Sequence, residues 1–135
     1  MTQRILIVDD DPDILRTLTR GLERRHYEVV CAAKADSAYS VLENQHIDAV
    51  VLDLLMPQIA GDVLALAIIR KWPRMVGRII LMSGDPSRGE QLKLRGAPFP
   101  FLAKPFTFDQ LCRLIETIER KNADHPRNGT TDGRP

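Results

Sequence analysis

The sequence predicts an α/β fold, a doubly wound five-stranded parallel sheet with helices on both faces. Three observations predict it. Short apolar runs alternate with longer amphipathic segments five times along the 135 residues. The runs Ile5 to Val8, Ala49 to Leu52 and Ile79 to Met82 are apolar throughout and rich in β-branched side chains, which suits strands covered on both faces. The 44% apolar content fills one core of ordinary domain size.

Each element follows from local pattern. Val29 to Ala32 and Phe101 to Ala103 are weaker apolar runs, and Pro98 and Pro100 near the second place it at a sheet edge, where a missing donor costs little. Ile14, Leu18 and Leu22 mark one face of a first helix opened by Pro12. Ala38, Val41 and Leu42 mark a second helix ending near Gln45, and Asp62 to Lys71 form a third, stopped before Pro73. A fourth, around Ser87 to Leu94, is short, polar and interrupted by Gly89. The fifth opens with a capping box, Thr107 and Gln110, and carries Leu111, Leu114, Ile115 and Ile118 on one face. These alternating strands and helices form a flavodoxin-like (βα)5 domain over residues 1–121, while residues 122–135 lose periodicity and read as a disordered tail or linker.

Composition narrows the function classes. Nineteen basic and eighteen acidic residues leave a formal charge of +1, which argues against a nucleic-acid coat or a polybasic membrane anchor. Cys31 and Cys112 are far apart and give no disulfide framework. The apolar start is too short for a signal peptide, and no stretch approaches the ~20 apolar residues that span a bilayer, so a cytoplasmic location is expected.

The chemistry collects at strand ends, because in a doubly wound sheet ligands bind beyond the carboxyl ends of the strands. The first run ends in Asp9, Asp10 and Asp11, and the third in Asp53. Like charges brought to one edge shift their pKa values or bind a cation, and hard oxygen ligands suit Mg²⁺. Asp11, followed by Pro12, reads as a helix cap, a role that does not explain Asp9, Asp10 and Asp53 together. The fourth run ends in Ser83 and Gly84, and the fifth in Lys104. Alone, a serine is a turn residue and a lysine a solvated charge. Acids, a hydroxyl and an ammonium on one edge fit a phosphoryl group, whose transfer is mostly positioning and electrostatics, with Asp53 as nucleophile.

ILIVDDDPDI, VVLDLLMPQIAG, ILMSG and FLAKPF, in this order and spacing, resemble the receiver domain of two-component response regulators across roughly residues 4 to 121. The resemblance implies a signalling phosphoacceptor that catalyses only its own phosphorylation and dephosphorylation. Asp53 would accept phosphate from a phosphohistidine on a sensor histidine kinase or a histidine phosphotransfer protein. Asp10, Asp53 and the backbone carbonyl of Leu55 would hold Mg²⁺, with Asp9 close by and often acting through water. Ser83 would bond the phosphoryl group and Lys104 would pair with it. Phe101 matches an aromatic position whose rotation accompanies activation, and it also reads as an edge-strand core residue. The Lys104 to Pro105 bond is commonly cis in this family. The surface of the fourth helix, fifth strand and fifth helix would dock a partner or a second copy.

The sequence departs from the family pattern at Ala60, where aspartate is common, and in GAPFPFLAKPF, one residue longer than usual with two stiffening prolines. Leu55 and Asp85 occupy positions that tune dephosphorylation in the family: Leu55 would hinder the attacking water and Asp85 would orient one. A haloacid-dehalogenase-type phosphatase fits poorly, since position 13 is aspartate and there is no room for a cap. A calcium loop from Asp9 fails at Ile14 and Arg20. A flavodoxin-like cofactor binder would meet carboxylates where it needs a phosphate cradle. A degenerate receiver acting as a phosphorylation-independent docking module is the remaining alternative. No DNA-reading helix follows residue 121, so direct nucleic-acid binding is not expected, and the chain reads as a stand-alone domain or one excised from a longer regulator or hybrid kinase.

Overall fold

A computed structural model describes residues 2–85, 87, 88, 90, 91 and 99–124. Among them are strands β1 (Arg4–Val8), β2 (Glu28–Ala32), β3 (Ala49–Asp53), β4 (Ile79–Ser83) and β5 (Phe101–Ala103). The helices are α1 (Pro12–Arg24), α2 (Ala35–Asn44), α3 (Gly61–Lys71), α4, of which residues 87, 88, 90 and 91 are described, and α5 (Phe108–Asp124). Gly89, Pro98 and residues 125–135, on which the expectations for the fourth helix's glycine, one stiffening proline and the tail rest, lie outside the described residues.

The five strands form one parallel sheet in the order β2-β1-β3-β4-β5, so the expected α/β doubly wound architecture is present and β5 lies at an edge. Alternation along each strand divides the interior into two cores. Leu6, Val8, Val50, Leu52, Ile79 and Leu81 face Ala38 and Leu42 of α2 and Leu64 and Ile68 of α3. Ile5, Ile7, Ala49, Val51, Ile80 and Met82 face Leu18 and Leu22 of α1 and Leu111, Ile115 and Ile118 of α5. Both faces of β1, β3 and β4 are therefore covered, which is why those segments are continuously apolar.

Helix ends follow their caps. Asp11 has extended backbone angles and its carboxylate accepts the Asp13 N–H at 2.9 Å, with Pro12 in the first turn. The Thr107 hydroxyl accepts the Gln110 N–H at 3.1 Å, and the Gln110 side chain accepts the Thr107 N–H at 2.8 Å, the reciprocal bonds of a capping box. The helix this box starts runs to Asp124, past the loss of periodicity at Lys121, and the Asn122 side chain donates to the Ile118 carbonyl at 2.8 Å.

Removing the Thr107 hydroxyl takes away one of the two acceptors of the Gln110 N–H, which keeps the Thr107 carbonyl at 3.1 Å. Thr107→Ala should lower unfolding stability by about 1 kcal/mol in urea denaturation, with an unchanged slope against denaturant.

Candidate functional site

Parallel pairing brings the carboxyl ends of β1, β3, β4 and β5 to one edge. Alternation then sorts the side chains there. Asp9, Asp53 and Lys104 continue the parity of Ile7, Val51 and Leu102, which face α1 and α5, whereas Ser83 continues that of Leu81 and Phe101, which face the other way. Asp9, Asp10 and Asp53 each offer a carboxylate oxygen within 4.8 Å of the others'. Lys104 Nζ lies 3.3 Å from Asp9 Oδ2 and 3.5 Å from Asp53 Oδ1. Asp9 is 1% exposed and Asp53 5%, while Asp10 is exposed.

Local backbone fixes these positions. After β3 the chain folds back, and Gly61 at the start of α3 donates its N–H to the Leu54 carbonyl at 2.9 Å. A Cβ on Gly61 would stand 2.3 Å from the Asp53 carbonyl oxygen and 2.7 Å from Leu54 Cα, so only glycine admits this approach. The Asp11 N–H donates to Asp9 Oδ1 at 2.9 Å, and the Asp85 N–H donates to Ser83 Oγ at 3.1 Å. The Lys104 N–H donates to the Ser83 carbonyl at 2.8 Å, tying the ends of β4 and β5 together. The Lys104–Pro105 peptide is cis, as the resemblance implies.

Burial raises the pKa of Asp53 above the ordinary aspartate value, and the neighbouring Asp9 carboxylate pushes it further. The Lys104 ammonium and the Leu55 N–H act in the opposite direction without cancelling the rise. One ammonium is thus set among three carboxylates, an arrangement whose hard oxygen donors and excess negative charge fit a small divalent cation.

The residues singled out in the sequence meet as follows. Asp9, Asp10, Asp53 and Lys104 form one cluster. Ser83 is fully buried at the adjoining strand end. Leu55 sits in the loop beyond Asp53 with its side chain 60% exposed. Phe101 is half-buried against the α2 and α3 core, on the same sheet face as Ser83. Asp85 is engaged at the start of α4. Its Oδ1 accepts the Ser87 N–H at 3.0 Å and the Ser87 hydroxyl at 2.7 Å, which also holds its pKa below the usual carboxylate value. The sequence carried a signal for this cap: Asp85–Pro86 repeats Asp11–Pro12.

Comparison with known proteins gives concordant results. A family model described as the response regulator receiver domain matches residues 5–116. The heme response regulator HssR of Staphylococcus saprophyticus is 32% identical over 117 residues, covering 86% of this chain and 51% of that protein. The transcriptional regulatory protein KdpE of Mycobacterium tuberculosis is 31% identical over 122 residues, covering 88% and 52%. The chain therefore spans about half the length of these curated relatives. Among solved structures, a CheY-like response regulator receiver domain protein from Methanospirillum hungatei superposes with a TM-score of 0.79 at 28% identity, covering 92% of this chain and 99% of that one. The response regulator TrrA of Thermotoga maritima, in complex with Mg²⁺ and BeF, gives 0.77 at 30% identity, covering 87% and 99%.

Two outcomes follow from the geometry. Gly61→Ala forces the loop after Asp53 away from α3 and should cost about 1–3 kcal/mol of unfolding stability, as overpacking against rigid backbone does. Because the folded chain holds the Asp53 proton more tightly than the unfolded one, ionising it costs native stability: the contribution is full below the unfolded pKa and lost as pH rises through the folded value. Metal-free Asp53→Asn should therefore melt above wild type at neutral pH, and the difference should shrink in acid. A neutral-pH melting temperature at or below wild type would contradict the stated balance of charges.

Proposed function

Because the chain belongs to the response regulator receiver domain family, we propose that it is the phosphoacceptor switch of a two-component pathway, taking a phosphoryl group from a phosphohistidine onto Asp53 with Mg²⁺ and changing its interaction surface. The observation that carries this reading is the buried Asp53 carboxylate with Lys104 Nζ at 3.5 Å and two further carboxylates beside it. A buried carboxylate kept next to like charge is unfavourable for stability, and such placements mark sites where the charge is used.

In the transfer, an Asp53 carboxylate oxygen attacks phosphorus, the oxygen–phosphorus bond forms as the nitrogen–phosphorus bond breaks, and the imidazole leaves with the electron pair. Lys104 sets a positive charge where the phosphoryl oxygens arrive, and Ser83 offers a hydroxyl proton to one of them. Asp9, Asp10, Asp53 and the Leu55 carbonyl would hold Mg²⁺, which when bound supplies Lewis-acid charge to the phosphoryl oxygens. The half-buried Phe101, sharing the face of Ser83, is the side chain placed to follow movement of that hydroxyl. On this reading the chain is not an enzyme toward other substrates; it catalyses only its own phosphorylation and dephosphorylation.

The partner is a sensor histidine kinase or a histidine phosphotransfer protein in the cytoplasm. The surface of α4, β5 and α5 would carry the response to a partner or a second copy, without direct nucleic-acid contact by this domain. The receiver would extend through α5 to Asp124, with residues 125–135 as a tail or linker. Among the described residues no helix is long and apolar enough to cross a membrane.

Incubation with acetyl phosphate and Mg²⁺ should add the mass of one phosphoryl group to the intact chain, and Asp53→Ala should add none. Mg²⁺ alone should raise the melting temperature of wild type by mass action, with Asp10→Ala losing most of that response. An unchanged mass across a range of Mg²⁺ concentrations would favour a docking module that works without phosphorylation.

A further inference from the structure

Two loops at the functional edge are built alike. After β1, Asp9 Oδ1 accepts the Asp11 N–H at 2.9 Å and Asp11 Oδ1 accepts the Asp13 N–H at 2.9 Å. After β4, Ser83 Oγ accepts the Asp85 N–H at 3.1 Å and Asp85 Oδ1 accepts the Ser87 N–H at 3.0 Å. In both, a strand-end side chain holds the residue two positions on, and the carboxylate of that residue caps the helix that follows. The second loop has an additional tie, because the Ser87 hydroxyl also donates to Asp85 Oδ1, at 2.7 Å. Arg88 of the same turn lies 3.8 Å from Asp62 of α3.

We propose that Asp85 is a positioning residue whose carboxylate latches the loop after β4 onto the start of α4 and so holds Ser83 in its resting arrangement. The inference rests on the proposed function for what Ser83 does. A hydroxyl oxygen that accepts from Asp85 keeps its proton for a phosphoryl group, but any travel of Ser83 toward Asp53 draws on the Asp85 N–H and hence on the cap beyond it. The cap therefore favours the resting state, and a ligand at Asp53 must work against it. Both Ser87 donors fall on Oδ1, so this oxygen of Asp85 is committed to the start of α4.

The test is titration of the full chain with beryllofluoride and Mg²⁺ for wild type, Asp85→Ala and Asp85→Asn, with amide exchange at Ser87 measured in parallel. Asp85→Ala should bind the mimic roughly fivefold more tightly and exchange the Ser87 amide faster by a similar factor, the size of a lost helix cap. Asp85→Asn keeps an acceptor oxygen in the same place and should follow wild type in both readouts. Equal affinities in all three proteins overturn the latch. So does a prolonged phosphoryl lifetime in Asp85→Ala with unchanged affinity for the mimic, which would return Asp85 to the water. A wild-type chain that ignores the mimic overturns the proposed function as well, whereas the other two outcomes leave it standing.

Discussion

One ammonium set between two buried carboxylates governs the functional edge. Lys104 Nζ reaches Asp9 and Asp53 at 3.3 and 3.5 Å, and both acids are almost fully excluded from water. Removing the ammonium would leave two buried carboxylates uncompensated, which costs far more than the pair contributes. The sheet order makes the reach demanding. Three strand spacings of about 4.8 Å separate β5 from β1, more than a lysine side chain alone spans, so Lys104 and Asp9 must reach toward each other beyond the ends of β4 and β3. The Lys104 backbone is anchored for this by the bond from its N–H to the Ser83 carbonyl. The parallel topology is thus a requirement of the site, since any strand run backward would send its terminal acid or base to the far edge.

The same topology explains what the sequence made visible. Central strands covered on both faces must be apolar at every position, so Ile5 to Val8, Ala49 to Leu52 and Ile79 to Met82 stand out without alternation. That continuity hides which side chain enters which core; the division into an α2–α3 side and an α1–α5 side is settled only by the register. Helix starts were legible where a cap has a sequence signature, as at Asp11–Pro12 and Thr107–Gln110. They were less so at α3, which begins at Gly61, because the reason lies in a close approach to the Asp53 backbone that no local pattern records.

At the site, the chemical types were legible and their ranking was not. Asp9, Asp10 and Asp11 are three identical residues in a row, yet one is buried beside Lys104, one is exposed, and one caps a helix. Strand parity separates them: Asp9 continues the side of Ile5 and Ile7, so its carboxylate meets Lys104 and Asp53, and after burial it is Asp9 that pushes the Asp53 pKa up. Parity also sets Ser83 apart from the acids, on the face of Phe101. The hydroxyl and the ammonium expected to serve one phosphoryl group thus approach it from opposite sides of the sheet edge, through different loops.

That separation has an electrostatic consequence. Three carboxylates against one ammonium leave two negative charges uncompensated at this edge. A divalent cation matches that deficit, and a singly charged one would leave half of it. A phosphoryl group on Asp53 exchanges one carboxylate charge for about two, so the demand for positive charge rises at the moment of transfer. Lys104 already divides its charge between Asp9 and Asp53, and phosphoryl oxygens would compete with Asp9 for it. Whatever charge Asp9 lost from Lys104 would have to come from a cation bound at the acid cluster, because the Asp11 N–H alone does not neutralise a buried carboxylate. The ammonium and the acid pair are therefore coupled: the resting contact between Lys104 and Asp9 opposes the charged product, and a filled cation site removes that opposition. On the proposed reading, phosphorylation would be tied to the cation through the electrostatics of Asp9.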